Sequence, residues 1–143
     1  MKTKYSTVLK VKKQALNKAE SNLNAARNRQ AQNEEALKEA NRVCESLNLP
    51  QKGGVDELRQ SMKMRQIARE ARERAAEKVL LSKKEVAHFE HLYKRANLDY
   101  EKIKYLESEE LKKLKKELEK IEAKNLDEIA ISRFFRRENE SEI

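Results

Sequence analysis

Both glycines and the only proline of this 143-residue chain fall within Leu49-Pro50-Gln51-Lys52-Gly53-Gly54. Proline lacks a backbone donor and collides with the preceding turn of a helix, and glycine admits positive φ and weakens helices. The chain is therefore told to reverse here, well before its midpoint, and no comparable breaker occurs elsewhere. The spacing predicts a helix over about residues 3–48, a turn over about 49–55, a second helix over about 56–137 and a tail at 138–143.

With 41% charged residues, 5% aromatics, no Trp and a mean hydropathy of -1.01, the chain cannot fill a globular core of its length. Its Ala, Glu, Lys, Leu and Arg content instead fits long helices or a coiled coil, expected as a single elongated domain. A lone cysteine, Cys44, excludes an intrachain disulfide framework and a cysteine-rich zinc site, and fits a reducing compartment. No apolar stretch follows Lys2, Lys4 and Tyr5, and no later run approaches the ~18 residues that span a bilayer. A soluble, cytoplasmic protein is expected, reaching membranes only through partners. The net charge of +8 and a pI near 9.5 favour acidic partners: nucleic acid, a membrane surface or an acidic protein groove.

The first arm carries a heptad pattern. Leu9, Leu16, Leu23, Gln30, Leu37 and Cys44 recur every seven residues, offset by Tyr5, Lys12, Ala19, Ala26, Asn33, Ala40 and Leu47. In the second arm the corresponding series are Leu58, Arg65, Arg72, Val79, Val86, Tyr93 and Tyr100, and Ser61, Ala68, Ala75, Ser82, Phe89, Ala96 and Ile103. The fold predicted is all-α: a long two-helix antiparallel coiled-coil hairpin with a C-terminal helical overhang. Its seam is expected from Leu9, Leu16, Leu23, Leu37, Leu47, Leu58, Val79, Val86, Phe89 and Tyr93.

The shortest sensible loop favours a register pairing Leu47 with Leu58, Leu37 with Ala68, Leu23 with Ser82, Ala19 with Val86, Leu16 with Phe89, Leu9 with Ala96, and Tyr5 with Tyr100, so that large residues meet small ones in four of the seven pairs. Registers displaced by one heptad have the same periodicity. Gln30 and Asn33 would form a polar layer near Ala75 and Arg72, which more often sets register than binds a ligand. Glu34, Glu35 and Glu39 would lie near Arg65, Arg69 and Arg72.

In this register the seam closes near Tyr5 and Tyr100, and the second helix runs on alone. Between Ile103 and Leu111 the apolar spacing slips by one step of four, a stutter. The overhang carries Leu111, Leu114, Leu118, Ile121, Leu126, Ile129 and Phe134, with Arg133 among them. Such a stripe is costly to leave in water, so it is expected to dock on another protein, to self-associate, or to fray and bend back at Asn125.

Catalytic chemistry is not expected. The adjacent Gly53 and Gly54 cannot form a phosphate-cradling loop. His88 and His91, even with Glu85 and Glu90 nearby, are two ligands on a charged helix and do not make a metal site. Cys44 at a seam position is a common packing choice, and carboxylates such as Glu117, with Lys113 and Lys120 at helical spacing, belong to a solvated face. No cofactor is expected. Basic charge gathers in the residues up to Arg29 and at Arg133, Arg136 and Arg137, without the interleaved aromatics or motif-defined modules that read nucleic acid.

At three places the chain resembles the FliJ family of flagellar (type III) export proteins, related to injectisome stalk proteins. These are the N-terminal helix opening Lys4-Tyr5-Ser6-Thr7-Val8-Leu9-Lys10-Val11-Lys12-Lys13; the off-centre turn; and Lys124-Asn125-Leu126-Asp127-Glu128-Ile129-Ala130 followed by Arg133. The last is the most motif-like. The resemblance implies a non-enzymatic, cytoplasmic coiled coil similar to the central stalk of rotary ATPases, peripherally associated with the inner-membrane export apparatus. Its terminal end would enter a hexameric export ATPase through Leu111, Leu114, Leu118, Ile121, Leu126, Ile129, Arg133 and Phe134. It also implies contact with the export gate membrane protein and with export chaperones that carry subunits. Family gate contacts use Tyr, Phe and Leu near mid-hairpin; the region from Leu49 to Met64 has no aromatic residue, which leaves His88, Phe89 and Leu92 for that role. The alternatives from other classes are a homodimeric coiled-coil scaffold and a basic coiled coil that binds nucleic acid or the ribosome.

Overall fold

The computed structural model describes residues 2–141; the end of the expected tail, at 142–143, lies outside them. The chain is all-α, with two helices, α1 (Ser6–Ser46) and α2 (Val55–Ser141), packed antiparallel against each other. α2 is helical through the residues expected as tail as far as Ser141.

Local chemistry sets the helix ends. Before α1, the Thr3 and Ser6 side chains cap reciprocally: Thr3 N donates to Ser6 Oγ (2.9 Å) and Tyr5 N donates to Thr3 Oγ1 (3.2 Å). These bonds satisfy donors that a helix start leaves orphaned. At the other end Ser46 Oγ donates to the Val43 carbonyl (2.8 Å), and Pro50 follows. Gly53 has φ of 139°, a conformation that L side chains rarely adopt. The Gly54 carbonyl then accepts from Leu58 N (3.2 Å) to open α2, whose first turn carries Asp56 and Glu57, the sign of charge the helix N-terminus favours.

Two compact units are present: one of Gln14–Leu98, the other of Met1–Lys13 with Asp99–Ile143. In the first, Leu23, Ala26 and Val86 form the core, with Phe89 and Tyr93 packed on it. Leu16, Ala68 and Val79 are also buried. In this unit the heptad positions from Leu16 through Gln30 and Asn33 to Cys44 in α1, and Leu47 just beyond it, are all covered at least in part.

The register differs from the expected one by a heptad. Val86 packs with Ala26 rather than Ala19, and the Asn33 side chain reaches Ser82 instead of Arg72. Ser82, buried, passes the bond on by donating to the Lys78 carbonyl (2.7 Å), so the polar layer is satisfied. This register also lets Arg27 meet Glu90 (3.5 Å) and Arg29 meet Glu85. Polar matching overrode the preference for a short loop. As a consequence Leu58, expected in the seam, is 40% exposed, and residues 51–60 are exposed throughout.

The pairing of Glu34, Glu35 and Glu39 with Arg65, Arg69 and Arg72 does not form either. Glu39 instead accepts from Arg42 in its own helix (2.6 Å), whose hydrogen bond and then charge hold the Glu39 carboxyl below the usual carboxylate range. That favourable contact is present above the ordinary carboxylate pKa and is lost as the pH falls through the lowered one. Gln30 donates to Glu34 (3.0 Å).

Cysteines test the register directly. In a chain with Cys44→Ser, Asn33→Cys with Ser82→Cys is expected to cross-link on mild oxidation, whereas Leu23→Cys with Ser82→Cys is not, because a disulfide needs Cα atoms within about 7 Å. Gel mobility with and without reductant reads the result.

In the second unit Lys13 Nζ sits 5.1 Å and Lys104 Nζ 5.9 Å from the centre of the Tyr100 ring, and Ser6 Oγ donates to Glu107 Oε1 (3.4 Å). Tyr100 thus lies against Lys13, not Tyr5. The covered face of α2 continues as Ile103, Glu107, Glu110 and Leu114, in unbroken steps of four and three. The stutter in the apolar spacing leaves this cadence unaltered, because glutamates occupy seam positions and one of them is hydrogen-bonded there.

Candidate partner-binding surface

Coverage of α2 ends at Leu114. Residues 115–140 are all exposed, although helix persists with no Gly or Pro to interrupt it. From Lys115 to Lys124, Lys and Glu alternate at helical spacing, which favours helix there. At 1.5 Å per residue it is roughly 39 Å long.

Six of the eight residues expected to bind an ATPase lie here. Leu118 (45% exposed), Ile121 and Ile129 (49%) share one face, which continues through Asn125, Ser132, Arg133 and Arg136 and bears a shallow open groove. Leu111 and Leu114 begin the same face but are half-buried in the second unit. The surface therefore starts about a turn later than the apolar stripe suggests. Phe134 stands apart: at 100° per residue it lies about 140° around the helix from Leu111 and Ile129. It makes an edge contact with Phe135, the ring centres 6.4 Å apart. Leu126, Ile131 and Phe135 are exposed as well, so the helix is apolar on several sides beyond residue 125.

The residues considered for a gate contact separate. Phe89 packs on the Leu23, Ala26 and Val86 core and is committed to the seam. His88 touches its edge, with ring centres 5.5 Å apart, and faces solvent; Leu92 is partly exposed one turn on. Among the described residues no group of three or more His, Cys, Asp or Glu could hold a metal ion, and no helix is long and apolar enough to cross a membrane.

One further surface is not apparent from the heptad pattern. Beside the turn, Leu49 and Met62 line a groove with Arg59, Lys63, Arg65, Gln66 and Arg69, so basic charge is present here as well as near the N-terminus and residues 133–137. The signal was legible in the spacing of Val55, Leu58 and Met62, but the expected register assigned Leu58 to the seam.

Fold and surface together define an all-α helical hairpin whose open faces are apolar side chains on helices. The model of the family described as Flagellar FliJ protein matches residues 1–139, and the chain belongs to that family. The family is one of non-enzymatic components of the flagellar type III export apparatus, which act with protein partners. No curated protein and no solved structure gave a match.

Proposed function

We propose that this protein is a stalk-like coiled coil of the flagellar export apparatus that engages the hexameric export ATPase through the exposed C-terminal part of α2. The observation that carries this reading is the uncovered run of residues 115–140, with Leu118, Ile121 and Ile129 on one helical face. An apolar helical face offered to water gains ~1.5–3 kcal/mol for each Leu or Ile that a partner buries. Arg133 and Arg136 on the same face suit acidic groups lining a partner's cavity. The protein would work on the cytoplasmic side of the inner membrane, contacting the export gate and chaperones that deliver subunits, with His88 and Leu92 the side chains left to the gate contact.

The test is titration of the cognate export ATPase with the full chain and with a chain ending at Ile121. Retained affinity in the shortened chain would remove the basis for this assignment. A stable dimer in light scattering at low micromolar concentration, dissolved by the same truncation, would instead assign the surface to a second copy.

A further inference from the structure

The turn-proximal groove lies in the other unit and is independent of the surface at residues 115–140. Within α2, Val55, Leu58 and Met62 recur at steps of three and four, and all are exposed, Val55 by 67% and Met62 by 57%. Leu49, from the turn, adds a further exposed apolar side chain to the groove. Arg59, Lys63 and Arg69 flank this ridge, and no ion pair holds them among the described residues. Between residues 59 and 72 the only carboxylate is Glu70, which accepts from Gln66 (3.4 Å).

An apolar ridge at helical spacing, bordered by cations, is complementary to one kind of ligand. We propose that this groove docks an acidic amphipathic helix of a partner protein, its apolar face on Leu49 and Met62 and on the exposed Leu58 one turn before Met62 on α2, and its carboxylates on Arg59, Lys63 and Arg69. Methionine adapts its shape to such a face, and helix-in-groove recognition uses anchors at this spacing. A second copy of the same face is disfavoured because it would press these cations against one another. Nucleic acid would use the charge but leave the apolar ridge idle, and no aromatic residue for base stacking occurs between Leu49 and His88.

The probe is a synthetic amphipathic peptide of about 18 residues, five helical turns, with leucines on one face and glutamates beside them. A scrambled peptide of the same composition is the control. Anisotropy titrations onto the full chain at about 50 mM salt are expected to show binding that weakens as salt rises. The scrambled peptide, and the Met62→Ser/Lys63→Glu and Lys63→Glu/Arg69→Glu chains, should each bind about tenfold more weakly or worse. All the substituted side chains are exposed, so helix content should not change, and circular dichroism checks this. The Leu118→Asp/Ile129→Asp chain should bind the peptide as the unaltered chain does. The proposal falls if the scrambled peptide binds equally well, if the groove substitutions leave binding unchanged, or if an RNA oligomer displaces the peptide. It also falls if these substitutions dissolve a homodimer instead.

Discussion

Replacing Leu23 by alanine is expected to destabilise the hairpin by about 2–5 kcal/mol, the range for deleting a buried leucine side chain that its surroundings cannot replace. Leu23 is 4% exposed and belongs to the Leu23, Ala26 and Val86 cluster on which Phe89 and Tyr93 rest. Two helices offer little other burial. Among the described residues the remaining buried apolar side chains are Leu16, Ala68 and Val79, so a loss at Leu23 has few neighbours to absorb it. Leu58→Ala is the internal control, since a 40% exposed leucine should cost under about 1 kcal/mol. Urea unfolding followed by far-UV circular dichroism measures both. Equal midpoints for the two variants would show that the seam is not built around Leu23.

A chain carrying Leu118→Asp and Ile129→Asp should unfold at the unaltered urea concentration yet bind the export ATPase at least about tenfold more weakly, a loss of ~1.4 kcal/mol or more. The two effects separate because both side chains are exposed: they contribute little to the hairpin and would contribute fully to a complex. Introducing carboxylates adds the cost of burying charge at an apolar contact. Phe134→Ser, about 140° around the helix, should have the smaller effect if one face docks. Leu114 is unsuited to this test, because it is half-buried within its own unit and its replacement would disturb folding as well. Unchanged affinity in the double variant would place the ATPase contact elsewhere.

Legibility differed by residue. Leu16, Leu23, Val79 and Val86 could be placed in the seam from their spacing, since a position on a helix face follows from local geometry. Leu58 satisfies the same spacing and is exposed, because spacing does not say how far the opposing helix reaches. Phe134 shares the apolar character of Leu118, whereas counting turns separates them on the helix. The groove beside the turn stayed hidden until Leu58 was free of the seam.

Helix, turn and heptad faces were thus determined by the sequence alone: proline and glycine act on their own backbone, and apolar periodicity acts within one helix. Register was decided only by the tertiary structure. A heptad pattern is unchanged by a shift of seven residues, so periodicity assigns nearly the same energy to each alternative. The choice falls to contacts between the arms, where Asn33 meets Ser82 and where Arg27 and Arg29 meet Glu90 and Glu85. Those contacts in turn decide which residues of α2 are left uncovered, 55–60 and Met62 beside the turn and residues 115–140 near its end.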